Sequence, residues 1–245
     1  MNMLEKHQAH FRFSVGVEGY VYCYIRKNAC SSWKRFISKE SPESAELANF
    51  DTPMQFLGKH HKIFNVEKIN SVSNRVAVLR DPVGRVVSGF LNQYVRNMDK
   101  PGLLHKLVSK KTGQGIESVS FYDFVSFYLC ETQDLDLEVH FIPQACHLNE
   151  YVEYNKVWRV DRLYQEAEKE FGKLLADRYF KSKVNNTDYD SFGLNVSNVS
   201  SGEIFSVYKE SGKFPDKKDI LNDEIVDLIS SRYSGDIDIM RSLRE

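Results

Sequence analysis

The chain has 245 residues, enough for one substantial domain with one large core, and 42% hydrophobic with 27% charged residues is the balance of a folded globular protein. Lys+Arg number 33 against 34 Asp+Glu, a net charge of −1, which excludes a protein that holds nucleic acid by bulk charge. Met1–Phe13 is polar and lacks the apolar core of a signal peptide, and no run approaches the roughly 20 apolar residues of a membrane helix. Cys23, Cys30, Cys130 and Cys146 form no C-x-x-C pair, so neither a zinc ribbon nor a disulfide framework is indicated; reduced thiols are the simplest reading.

In chain order, Gly19–Ile25 (GYVYCYI) is aromatic, β-branched and almost continuously apolar, the pattern of a strand buried on both faces. Arg26–Ser32 is a polar break. Trp33, Phe36 and Ile37 then recur at helical spacing. Arg75–Leu79 is a second buried strand, and Asp81-Pro82 after it is a helix start: an N-cap acceptor, then proline in the first turn. Val83, Val87, Phe90 and Tyr94 give that helix one apolar face. Arg96–Glu117 reads as a mobile loop with a short helix, Phe121–Leu129 as an apolar helix, Lys156–Val160 as a third strand and Asp161–Leu175 as a helix with Leu163, Ala167, Phe171 and Leu174 on one side. Tyr179–Ser201 reads as a long loop and Asn222–Leu243 as the closing helix. Strands alternating with helices predict an α/β fold, a single domain over residues 1–245 with a central parallel sheet flanked by helices. The motif-bearing core spans about 19–175, followed by a helical region over about 200–245.

Two segments carry chemistry. The first is strand, RKNACSSWKR, helix. A helix that starts at the end of a parallel strand aims its unbonded N–H groups at whatever sits there, and anions bind such starts. Ala29, Ser31 and Ser32 are small enough to let backbone amides approach an anion, and Lys27 adds a point charge. The G-x-x-x-x-G-K-[ST] spacing of a nucleoside-triphosphate loop is absent. The alternative is an ordinary turn with solvated Lys and Arg. The second segment is strand, RDPVGRVVSGF, helix: Arg80 at the strand's end and Ser88 about two turns into the helix, a guanidinium fork and a hydroxyl suited to a phosphate monoester. Here the alternative is that Arg80 pairs with Asp81 or a helix end and Ser88 is a packing residue.

Together the segments resemble the carbohydrate sulfotransferases of the chondroitin, dermatan and HNK-1 type, their bacterial relatives and, more distantly, the heparan 2-O-sulfotransferases. The family's phosphosulfate loop, approximately P-K-x-x-C-[TS]-x-W-K-R, matches Arg26–Arg35, with Arg26 in place of the leading proline. Its 3′-phosphate motif, approximately R-[DEN]-P-x-x-R-x-x-S-x-[FY], matches Arg80–Phe90. A weaker match runs over His140–Cys146, where His140, Pro143 and Gln144 are in place and the cysteine falls one residue early; another covers Val157–Leu163. The resemblance implies a P-loop-like sulfotransferase fold and transfer of a sulfuryl group from 3′-phosphoadenosine 5′-phosphosulfate (PAPS) to a hydroxyl, with 3′-phosphoadenosine 5′-phosphate (PAP) as product and no metal. It assigns Lys27 to the phosphosulfate, the loop from Asn28 and Ala29 through the amides of Cys30, Ser31, Ser32 and Trp33 to the 5′-phosphate, and Arg80 with Ser88 to the 3′-phosphate.

The acceptor hydroxyl needs a base. By family position that is His60 or His61, upstream of the second motif, on the expectation that the chain there crosses the edge where the strands end; His140 is the alternative. Arg96, Lys100, His105, Lys106, Lys110 and Lys111 form a basic run that grips an anionic glycan or is a solvated loop. Arg85 is either a support to the phosphate site or a salt-bridge partner. Golgi members carry an N-terminal membrane anchor that is not seen here, so the expectation is a cytoplasmic enzyme whose partner is a carbohydrate or another hydroxyl-bearing acceptor, not a nucleic acid. A nucleotide or sugar kinase, or a non-catalytic nucleotide- or glycan-binding protein on the same scaffold, are the competing readings.

Overall fold

The computed structural model describes residues 4–181, 189–191, 193 and 195–242. The chain begins with strand β1 (Ala9–Val15), turns at Gly16, whose φ of 59° suits glycine, and returns as β2 (Glu18–Tyr24). Helix α1 (Cys30–Glu40), helix α2 (Pro53–His60), the short β3 (Lys62–Ile63), α3 (Val66–Asn70) and β4 (Asn74–Leu79) follow. Then come α4 (Pro82–Gly89), continued as a π-helical turn over Phe90–Val95, α5 (Leu103–Thr112), and α6 (Phe121–Asp123), continued as a π-helix over Phe124–Leu129. The remaining elements are α7 (Gln144–His147), β5 (Lys156–Arg159), α8 (Leu163–Phe171), α9 (Lys173–Tyr179), β6 (Tyr189–Asp190), α10 (Ser201–Ser211), β7 (Phe214–Pro215), α11 (Lys217–Ile220), α12 (Asp223–Arg232) and α13 (Ser234–Ser242). No helix among the described residues is long and apolar enough to cross a membrane.

Contacts divide the chain into two units: residues 1–80 with 144–185, and residues 81–143 with 186–245. The first holds a five-stranded sheet in the order β3-β1-β2-β4-β5. The expected parallel strands β2, β4 and β5 pair in register, Cys23 opposite Ala77 and Leu79 opposite Arg159. Strand β1 was not foreseen; it runs antiparallel to both β2 and β3. Alternation along β2 sorts its side chains. Tyr20, Tyr22 and Tyr24 join Trp33, Phe36, Trp158 and Phe171 in one core, and Val21 packs with Ile63, Val66, Ile69 and Val72 in another. Trp33 stacks on Tyr22 with ring centroids 4.4 Å apart, which holds α1 against the sheet.

The second unit is mainly helical, with Phe90, Tyr94, Phe121, Phe124 and Phe141 at its centre. Gly89 lies under the Phe141 ring: a Cβ there would meet ring carbon Cε1 at 2.6 Å. The helix start at Asp81-Pro82 is as read, with Asp81 accepting from the amide of Gly84 at 2.7 Å. The apolar face expected of α4 is instead a helix buried nearly all round, including Arg85 and Ser88. Arg85 donates to the carbonyl of Ile142 at 2.9 Å and so ties α4 to the Phe141–Pro143 segment.

Three expected elements differ. Arg96–Glu117 contains a ten-residue helix, α5, ended by Gly113 at φ 69°. The helix over Asp161–Leu175 breaks at Gly172 (φ 83°) into α8 and α9, so Leu174 does not join Leu163, Ala167 and Phe171 but stands 71% exposed. The closing helix is two, α12 and α13, parted at Tyr233, whose hydroxyl is held by the carbonyl of Phe141 at 2.7 Å. Of the loop expected over Tyr179–Ser201, residues 182–188, 192 and 194 lie outside the described residues.

Candidate functional site

The loop between β2 and α1 has an unusual backbone. Lys27 (φ 67°) and Ala29 (φ 57°) are the only non-glycine residues with positive φ among the described residues. Each costs about 1–2 kcal/mol of strain, and neither is glycine, the residue that would avoid it. Alternating handedness on successive residues can turn neighbouring N–H groups to one side, the geometry of an anion-binding nest. Here the two left-handed residues immediately precede the N-terminus of α1, whose dipole favours negative charge.

The donor set differs from the expected one. The amides of Ser32 and Trp33 are used inside the helix, both donating to the carbonyl of Ala29 (3.0 and 3.3 Å). Trp33 is wholly buried in the core. Those two amides are therefore not available to an anion. The Lys27 and Ser31 side chains are half-buried at the loop, and Ser32 is buried beneath it.

Asn28 holds the loop down. It is fully buried, and its Nδ2 donates to the carbonyl of Val78 (2.7 Å) and to Oε1 of Gln144 (2.5 Å), while its Oδ1 has no partner. Gln144, 1% exposed, also accepts from the amide of Arg80 (2.9 Å) and donates to the Arg80 carbonyl (2.9 Å). Arg80 in turn sends Nη1 to the carbonyl of Lys27 at 3.0 Å. The Arg80 guanidinium is thus joined to the backbone of Lys27 where β2 and β4 end. β5 ends beside them with Arg159 bonded to Asp161 through Nε and Nη2, both at 2.9 Å. The side-chain roles of Asn28 and Gln144 were missed; Gln144 sat in the weak His140–Cys146 match, which was the available signal.

The histidines fall elsewhere than expected. The chain reaches His60 and His61 not at the edge where the parallel strands end but level with the middle of β2, one strand further out. β3 runs in the direction of β2, and His61 precedes it, level with Arg12, whose amide donates to the His61 carbonyl (2.8 Å). Arg12 pairs with Val21, three residues short of the end of β2. His61 also bonds Ser41, at the C-terminal end of α1 (Nε2 to Oγ 3.0 Å), and an eleven-residue helix is about 16 Å long, so the pair stands that far from the loop. The intervening strand β1 is the physical reason. Both ring nitrogens of His61 are engaged, Nδ1 donating to the Arg12 carbonyl at 2.7 Å, and burial lowers its pKa. His60 Nε2 lies 3.3 Å from Glu46. The two line a pocket of about 240 Å³ with Arg12, Ser41 and Glu43.

His140, in the second unit, has Nδ1 against both carboxylate oxygens of Glu138, at 2.8 and 3.0 Å, which fixes the tautomer with the proton on Nδ1. Ser88 is buried in α4. Of the basic run, Lys100, Lys106, Lys110 and Lys111 are exposed. His105 is not part of it: it is buried, accepts from the Gly102 amide through Nδ1 (3.1 Å), bonds the Tyr94 carbonyl through Nε2 (2.8 Å) and has its pKa lowered by burial, so it is neutral. Arg96 lies over the rings of Tyr208 and Phe214, 5.3 and 5.5 Å from their centroids.

No curated protein and no solved structure gives a significant match to this chain. A family model described as the sulfotransferase family matches residues 13–239, from β1 through α13. A match of that extent establishes that the chain belongs to the sulfotransferase family.

Proposed function

We propose that the chain moves a sulfuryl group from PAPS to a hydroxyl of a carbohydrate acceptor, in line and without a metal. The observation that carries this reading is the Lys27–Ala29 nest with Arg80 bonded to it: concentrated positive potential at a helix start, with strain retained at two non-glycine residues. PAPS supplies the sulfuryl group and leaves as PAP. Lys27 neutralises the negative charge that grows on the departing phosphate oxygen, an interaction worth most in the transition state. The amides around Asn28 to Cys30 hold the 5′-phosphate. Arg80 receives the 3′-phosphate, and Ser88, assigned by the family motif, is its proposed hydroxyl partner.

For the base we favour His140. The Glu138 carboxylate orients its ring and stabilises the imidazolium formed on taking a proton. The distance of His61 from the nest and the engagement of both its nitrogens argue for a structural role there. The exposed Lys100, Lys106, Lys110 and Lys111 suit an anionic acceptor. The test follows labelled sulfuryl from PAPS onto a panel of oligosaccharides and small alcohols, with and without EDTA. Transfer to a glycan that survives EDTA and is lost in Lys27→Met supports the reading. No transfer to any glycan, or transfer that EDTA abolishes, contradicts it.

A further inference from the structure

Beyond Leu79, β4 has no further sheet pairing, so the backbone of Arg80 must find its partners elsewhere. A single side chain supplies them. Gln144 donates to the Arg80 carbonyl and accepts from the Arg80 amide, doing with one amide group what the next residue of a strand would do. The same Oε1 accepts from Asn28, the residue set between the two left-handed positions of the loop. The Arg80 guanidinium then returns to the carbonyl of Lys27. Loop, strand end and Gln144 therefore form a closed circuit of hydrogen bonds, in which the side chains of Asn28 and Gln144 are buried.

We propose that Gln144 is a positioning residue that holds the loop and Arg80 in register, and so sets the spacing at which the 5′- and 3′-phosphates of one nucleotide are received together. This rests on the PAPS reading above. The chemistry required is specific: one donor for the Arg80 carbonyl, and one oxygen shared by the Arg80 amide and Asn28 Nδ2. Leucine offers neither. A glutamate of the same shape offers the oxygen but, when ionised, sets a carboxylate against the Arg80 carbonyl and removes the donor; when protonated, it restores it.

The experiment is calorimetric titration of PAP, 5′-AMP and adenosine 3′-phosphate into wild type, Gln144→Leu and Gln144→Glu, with a thermal melt of each free protein. Gln144→Leu is expected to weaken PAP by about tenfold to a hundredfold and each mononucleotide by less, because the advantage of receiving both phosphates at once is lost. A residue that only supports the fold would lower the melting temperature and leave the affinity of the folded protein unchanged. Gln144→Glu is expected to bind PAP weakly near pH 8 and to approach wild type as pH falls toward about 5.5, a trend absent from wild type. If Gln144→Leu does not fold, this pH trend decides alone. Folded Gln144→Leu, or Gln144→Glu near pH 8, binding PAP within about twofold of wild type overturns the proposal. A wild-type protein that melts normally yet binds no PAP overturns instead the reading on which it rests.

Discussion

Replacing Ala29 tests whether the strained loop exists in solution. Its φ of 57° and ψ of 23° place it in the left-handed region, at a cost of about 1–2 kcal/mol that glycine does not carry. Ala29→Gly removes this cost but loosens the unfolded chain by about 0.4–1 kcal/mol, so the net expectation is a gain of about 0.5–1 kcal/mol. Ala29→Val puts a β-branched residue where such residues are outliers and should lose about 2 kcal/mol or more. Urea unfolding gives both values as midpoint shifts at constant slope. Lys27, at φ 67°, allows conformation and charge to be separated. Lys27→Gly and Lys27→Met lose the same charge, so both should drop kcat by about 10²–10³, while only the glycine variant gains stability. Should Ala29→Gly destabilise the protein, or Lys27→Gly and Lys27→Met be equally stable, the left-handed nest is not the solution conformation and the argument from strain fails.

Three further outcomes are expected. Gly89→Ala drives a methyl into Phe141, 2.6 Å away, and should cost about 1–3 kcal/mol in urea unfolding; a neutral result would mean that the Phe141 ring is not packed against Gly89. Burial pushes His10 down to about 4 from an unfolded value of 6.5, so the unfolded chain takes up the proton first: stability is full above the unfolded value and is lost as pH falls toward the folded one, by about 3 kcal/mol from this residue. His61 and His105 are shifted in the same direction, and urea midpoints that do not fall on acidification from about pH 7 to 4.5 would contradict these burials. His140→Ala should cut kcat by about 10²–10⁴ with PAP affinity nearly unchanged, while His61→Ala acts on stability; the reverse pattern in single-turnover assays would return the base to the pair before β3.

What the sequence disclosed were the features with local causes. β2 and β4 announce themselves as apolar runs, Asp81-Pro82 as a cap, Trp33, Phe36 and Ile37 as a helix by their spacing, and Lys27 and Arg80 as cations at strand ends. β1 was hidden because its pattern mixes Arg12 and Ser14 with buried aromatics and includes His10, a polar residue that is buried. That one omission displaced the predicted position of His60 and His61, since β1 separates β3 from β2. Gly172 and Tyr233 break helices whose apolar spacing reads as continuous. The hydrogen bond from Asn28 to Gln144 joins residues 116 positions apart, and no local pattern specifies such a partner.

The most direct test of the central claim is the affinity of wild type and Arg80→Lys for PAP and for 5′-AMP. Arg80 and the loop, joined at the Lys27 carbonyl, are argued to receive a nucleotide carrying phosphate at both ends. Wild type should bind PAP at least about tenfold to a hundredfold more tightly than 5′-AMP, since charge-assisted hydrogen bonds are worth about 1.5–3 kcal/mol each. Arg80→Lys, which keeps the charge but loses the planar fork, should erase most of that preference. Equal affinity of the wild-type protein for PAP and 5′-AMP would contradict it.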